Sequence, residues 1–311
     1  MRKYLSCKSA TGFVEIKEWA PNCWVNVECP NEDDFNFLKE KLKVPESFLN
    51  DIADTDERPR NDTEDNWLLT ILRIPITTSS ERGVPFNTIP IGIITKDDIT
   101  VSVCYYQSEL LPDFIQHTRR KGLVVRNKLD LILRLIYSSA VWFLKYLKQI
   151  NNDVTDAEKA LEQSIRNEDL LQLMKLQKAL VYFNTAIRGN EVMISRLKTI
   201  FQDTDLMDKD LTEDAIIELK QALNTVNVYS DILTGTMDAF ASIINNNVNT
   251  IMKRMTSFSI ILMVPTLIAS FYGMNVKIHA AEIPHAFFYI VLFSIGFSAC
   301  TFFVFRKIKW F

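Results

Sequence analysis

Between residues 235 and 270 the chain repeats a set of side chains every three or four positions. They are Gly235, Asp238, Ser242, Asn245, Asn249, Met252, Thr256, Ser259, Met263, Thr266 and Ser270. That spacing lays them along one face of a helix. Nearly every member is polar, small or methionine, where a dimeric coiled coil would place Leu, Ile or Val. From residue 258 to 268 the flanking positions, Phe258, Ile260, Ile261, Leu262, Val264, Leu267 and Ile268, are apolar enough to face lipid. Packing between helices accounts for Thr256, Ser259, Thr266 and Ser270. It accounts poorly for Asp238, Asn245 and Asn249, which continue the same face below the apolar part. A water-lined axis accounts for all of them, because unpaired polar groups facing lipid are costly.

Just beyond the stripe stands Phe271-Tyr272-Gly273-Met274-Asn275. Asn275 follows Ser270 by five residues and breaks the rhythm, so the helix is expected to stop at Gly273 and free its last carbonyls. The helix C-terminus adds partial negative charge there, and Asn275 can turn an amide oxygen inward. These are acceptors with no nucleophile or base beside them. A ring of such oxygens suits a cation that keeps its water, as Mg²⁺ does. A ring of carboxylates would hold the ion more tightly and release it more slowly. One helix cannot enclose such a path, so identical subunits must surround it.

The elements that carry the stripe are legible. Residues 255–272 and 286–305 are free of charge for 18 and 20 residues, long enough to cross a hydrocarbon layer about 30 Å thick. Lys253 and Arg254 precede the first span, and Arg306, Lys307 and Lys309 follow the second. Positive charge stays cytoplasmic, so both termini are expected inside a multi-pass cell-membrane protein, with the Gly-Met-Asn turn outside. Phe271, Tyr272, Phe287, Phe288 and Tyr289 then form an outer aromatic belt, and Trp310 marks the inner interface.

Upstream, no proline occurs between Pro112 and Pro265, and Gly235 is the only glycine from 211 to 264. A single helix can run from about residue 211 to Tyr272, on the order of 90 Å. Segments 127–165 and 168–202 are expected to form an antiparallel helical pair. Eight of the ten prolines fall in the first 112 residues, where short β-rich stretches alternate with turns and one helix follows Asn31 or Asp33. The expected organisation is an α+β cytosolic domain over 1–118, a helical stalk over 119–254 and a two-helix transmembrane hairpin over 255–311.

Subtracting the four basic residues and one acid after position 254 from the chain's 35 and 38 leaves 31 and 37, a net of −6. That balance argues against nucleic acid as a partner. Five cysteines form no CxxC pair, and the three histidines are scattered. The plain reading is reduced cytosolic thiols with no zinc site spelled out. No phosphate loop or nucleophile elbow appears, so neither a nucleotide partner nor an enzymatic reaction is expected. The acids Asp203, Asp205, Asp208, Asp210, Glu213 and Asp214 lack the order of a calcium loop. They read as a solvated helix start, with Asp210 and Glu213 spaced as a capping box. Asn31–Phe35 likewise reads as a helix N-terminus, and His279 with His285 makes a poor transition-metal site.

Tyr272-Gly273-Met274-Asn275 at the outer end of the first of two C-terminal spans, the long helix before it, proline-free from 211 to 264, and the tail Arg306–Phe311 together resemble the CorA family of magnesium transporters. The likeness extends over the whole chain. It implies a funnel-shaped homopentamer in the lipid bilayer that takes up Mg²⁺ passively, driven by the membrane potential and gated by cytosolic Mg²⁺. Gly273, Met274 and Asn275 would form the selectivity ring, with Asn275 touching hydrated Mg²⁺. Asn249, Met252, Met255, Met263 and Thr266 match pore-lining positions, and the methionines can form apolar constrictions. Asp238 matches a regulatory acid between subunits. The outer loop has Glu282 as its only acid, and Glu81 is the one acid available in the stretch expected to face Asp238. Transport of Co²⁺, Ni²⁺ or Zn²⁺ through the same architecture is the near alternative, with Met274 arguing against zinc. A membrane-anchored oligomeric scaffold is the distant one.

Overall fold

A computed structural model of the chain describes residues 1–8, 12–78, 83–163, 166–202, 204, 206–275, 284–308 and 310. They form two compact units, Met1–Thr234 and Gly235–Phe311.

The first unit is built on a seven-stranded mixed sheet. Its strands are β1 (Arg2–Lys8), β2 (Gly12–Ile16), β3 (Trp24–Glu28), β4 (Arg60–Glu64), β5 (Trp67–Thr77), β6 (Phe86–Lys96) and β7 (Ile99–Cys104). Their order is β2-β1-β3-β7-β6-β5-β4, with β3 and β7 parallel and every other pair antiparallel. Strands β5 and β6 are apolar almost continuously because both their faces are covered. Leu69, Ile71, Ile94, Val101 and Val103 pack with Leu38, Phe48, Leu49 and Ile52. The alternate residues point the other way, toward two long helices, α4 (Lys128–Gln163) and α5 (Asn167–Ile200).

Two glycines of the sheet stand where a side chain would collide. A Cβ on Gly12 would lie 2.5 Å from the carbonyl oxygen of Thr118, on a backbone already at φ +63°, and one on Gly92 would lie 2.1 Å from Ile52 Cδ1.

Strand β4 is a polar edge that sequence patterning does not reveal. It joins β5 through Asp65 and Asn66, both at positive φ, as a tight hairpin turn requires. Its charged residues suit an unpaired edge. Where β4 ends, α5 completes the edge of β5. The buried Asn190 accepts from Arg73 N at 2.9 Å and donates to Arg73 O at 2.7 Å. Asn61 of β4 donates to the Met193 carbonyl of α5 at 2.9 Å. Arg73 itself spends its guanidinium on backbone oxygens of Thr55, Glu57 and Thr88 and on Thr88 Oγ1. Burial pulls its pKa down.

Side-chain caps start two of the helices that bear on the sequence reading, the first and the last long one. Asn31 and Asp34 form a reciprocal capping box for α1 (Glu32–Asn36), so Asn31 rather than Asp33 is the cap, and the acids there start a helix. Two short helical segments follow, a π-helical turn at Phe37–Lys41 and α2 (Glu46–Ala53); α3 is Leu110–Lys121. The last long helix, α6 (Lys209–Tyr272, 64 residues), starts two residues earlier than its sequence spacing suggests. Asp208 is its cap, accepting from Leu211 N at 3.0 Å, which puts Asp210 inside the first turn. A cap stands just before the first turn, and Asp208 is the residue whose carboxylate and carbonyl accept from Leu211 N and Thr212 N there. Asp203 and Asp205 lie outside the described residues.

Candidate ion pathway

The second unit contains the C-terminal half of α6 and α7 (Ala286–Lys307). Both helices carry an 18-residue apolar window, and only 6% of each window is buried. A core helix of a soluble protein would be covered instead. Exposed apolar helices of this length are suited to hydrocarbon.

The two helices meet along a narrow seam. On α6, Ser257 is fully buried and Ile261, Val264 and Ile268 are half-buried; on α7, Ser294 is buried and Ala286, Ile290 and Ser298 are half-buried. The α7 residues recur every four positions, and three of the four are small. Small residues let helix backbones approach closely in a membrane. This face of α7 was not anticipated from sequence, although the spacing Ala286, Ile290, Ser294, Ser298 is its signature.

The polar stripe lies on the far side of α6 from the seam. At about 100° per residue, its membrane part is centred about 150° around the helix from the face that meets α7. Gly235, Asp238, Ser242, Asn245, Asn249, Met252, Thr256, Ser259, Met263, Thr266 and Ser270 are all exposed. Met255 is exposed beside them. Helix packing against α7 therefore does not explain the stripe.

Three of the five hydroxyls on this face share one polarity. Ser242, Ser259 and Thr266 donate to the carbonyls of Asp238, Met255 and Leu262 at 3.0, 3.0 and 2.9 Å. With their protons committed to the backbone, they present lone pairs outward. Water bound to a cation points its hydrogens away from the ion. An acceptor surface is what a hydrated cation meets favourably.

The stripe ends at the Gly-Met-Asn turn. Helix α6 stops at Tyr272; Gly273 N donates to Ala269 O at 2.9 Å and Met274 N to Phe271 O at 3.4 Å. Gly273 does not take a left-handed conformation, so helix termination here does not depend on glycine's freedom of φ. Its missing side chain matters instead. A Cβ would sit 3.3 Å from the Ala269 carbonyl oxygen and 3.7 Å from that of Ser270, over the last turn's acceptors. Asn275 is exposed, and its amide has no hydrogen-bond partner among the described residues.

Asp238 is exposed on the same face and forms no ion pair with any described residue. No group of three metal-ligating acids, cysteines or histidines occurs among the described residues. Glu81, His279 and Glu282 lie outside them. His285 opens α7 in a left-handed conformation without capping it.

An α+β domain, a 64-residue helix and a pair of exposed apolar helices, one bearing an exposed polar stripe, define a membrane protein. The chain belongs to the CorA-like Mg²⁺ transporter family, which it matches over residues 19–307. It is 23% identical over 302 residues to the cobalt/magnesium transport protein CorA of Methanocaldococcus jannaschii, covering 92% of this chain and 90% of that one. Against the protein of the same description from Thermotoga maritima it is 23% identical over 300 residues, covering 92% and 83%. The complete structure of the CorA magnesium transporter from Methanocaldococcus jannaschii shares its fold at a TM-score of 0.85 and 20% identity, over 100% of this chain and 99% of that one.

Proposed function

We propose that the chain assembles as a homopentamer around its α6 stripes and conducts Mg²⁺ passively into the cell. The observation that carries this reading is the exposed acceptor face of α6, opposite the α7 seam and ending at Asn275. In a bilayer a lone copy would leave those groups facing hydrocarbon, at a cost of several kcal/mol for each unsatisfied one. A closed ring of copies turns them onto water. An inside-negative potential supplies about 2.3 kcal/mol per charge per 100 mV, hence about 4.6 for a divalent ion. No nucleotide is needed.

In this reading residues 1–118 form the cytosolic domain, 119–254 the stalk and 255–311 the membrane hairpin, with both termini inside. Lys253, Arg254, Arg306 and Lys307 support that orientation. Gly273, Met274 and Asn275 select the ion, and Met252, Met255 and Met263 supply apolar constrictions. The test is Mg²⁺ flux into liposomes holding the purified protein under an imposed potential, with Co²⁺, Ni²⁺ and Zn²⁺ as competing ions. Potential-dependent Mg²⁺ entry is expected; no entry, with a folded oligomer present, sinks the reading.

Regulation is assigned to Asp238, about four to five helical turns below Met255. Copies of this carboxylate brought together around an axis repel one another unless a cation or water screens them. High cytosolic Mg²⁺ then holds the stalks together and closes the path, and falling Mg²⁺ releases them, with differential affinity as the driving force. Asp238→Ala is expected to move half-inhibition by internal Mg²⁺ severalfold higher and to weaken Mg²⁺-dependent protection of the stalk from protease. If neither changes, Asp238 is a surface acid.

A further inference from the structure

Pro265 stands inside α6, in the middle of its apolar span. Proline has no N–H, so the carbonyl four residues earlier, that of Ile261, loses its helical donor. In hydrocarbon no water can replace it. The donor comes from the other helix: Ser298 Oγ of α7 donates to Ile261 O at 3.1 Å.

Ser298 differs in this from its neighbours. Ser257, Ser259, Thr266 and Thr301 all donate to a carbonyl four residues back on their own helix. Among the described hydroxyls of the two spans, Ser298 makes the bond that crosses between helices. It lies on the small-residue face of α7, four residues from the buried Ser294, so α7 is held close at the point where the α6 ladder is interrupted. A proline is also where a helix bends most readily. Beyond Pro265 lie Thr266, Ser270 and the Gly-Met-Asn turn, the outer end of the acceptor face.

We propose that Ser298 is a positioning residue for ion passage: its hydroxyl replaces the N–H that Pro265 lacks, and so sets the direction in which the outer end of α6 presents Thr266, Ser270 and Asn275. This rests on the pathway reading above. Ser298 touches no ion; it acts through α6.

The test is a double-mutant cycle on Mg²⁺ flux in liposomes, using the full chain. Ser298→Ala keeps the residue small and removes only the donor. It is expected to lower maximal flux about fivefold, the effect of about one interhelical hydrogen bond. Pro265→Ala restores an N–H to the Ile261 carbonyl. In that background Ser298→Ala is expected to change flux by less than about 1.5-fold, because the carbonyl no longer lacks a donor. A packing role for Ser298 would give the same loss in both backgrounds, and that result overturns the assignment, as does wild-type flux from Ser298→Ala. Should the single variant assemble poorly, the same cycle is read in the temperature at which the detergent-solubilised oligomer dissociates. Coupling to Pro265 supports the bond, and additivity overturns it. Asn275→Ala in the same assay separates the two ideas. If it conducts normally the pathway reading fails and this one with it. If it is inactive while the cycle is additive, only Ser298 loses its role.

Discussion

Replacing Asn275 with alanine is expected to reduce Mg²⁺ flux by at least about a hundredfold while leaving the assembled oligomer intact. Asn275 is exposed at the end of α6, and its amide holds no described neighbour. The substitution therefore removes no packing and breaks no internal hydrogen bond. What it removes is one acceptor from every subunit of the proposed ring. Each lost contact to an ion's water is worth about 0.5–1.5 kcal/mol, and a few together reach the roughly 2.7 kcal/mol that a hundredfold change requires. Asn275→Asp tests the same argument from the other side. It keeps the oxygens but adds charge, so Mg²⁺ should bind more tightly and pass more slowly. Flux is measured in liposomes, and assembly by size in detergent. An Asn275→Ala oligomer of normal size that conducts like the parent would end the selectivity assignment.

Asn190→Ala is expected to destabilise the Met1–Thr234 unit by about 2–4 kcal/mol, with no change at the ion pathway itself. Asn190 is fully buried on α5, and its amide closes both backbone groups of Arg73 beyond the end of β4. Alanine leaves a buried N–H and a buried C=O without partners, each costing about 1–3 kcal/mol. Asn190→Asp is expected to be no better. It cannot donate to the Arg73 carbonyl, and it buries a charge. Denaturant unfolding of the full chain in detergent, followed through the tryptophans of the Met1–Thr234 unit, measures the loss. A change below about 1 kcal/mol would mean that water or a shifted helix takes the amide's place.

Much of this protein was legible before any coordinates. The stripe from Gly235 to Ser270 is a matter of period and residue type, and helix geometry alone places those residues on one face. The two spans follow from uncharged length. The central strands follow from apolar or alternating runs, and the first helix from a polar start at Asn31 or Asp33. Each of these is a local rule, satisfied within one element.

What remained hidden depended on a second element. Strand β4, Arg60–Glu64, carries no apolar pattern because it lies at the sheet edge, and only pairing with β5 makes it a strand. Asn190 reads as one polar residue in a helix until the end of β4 leaves Arg73 without a partner. Pro265 announces a missing N–H, but not that α7 supplies the replacement through Ser298. The start of α6 fell to Asp208 rather than Asp210 because a cap depends on where the chain turns, and several acids there satisfy the spacing. The sequence by itself determined which residues share a face and which segments are apolar enough to cross a membrane, because periodicity and composition act along the chain. Only the tertiary structure decided that the stripe turns away from α7 and that Ser298 reaches across to the Ile261 carbonyl. Those facts are set by which face the neighbouring helix covers and where each proton finds a carbonyl.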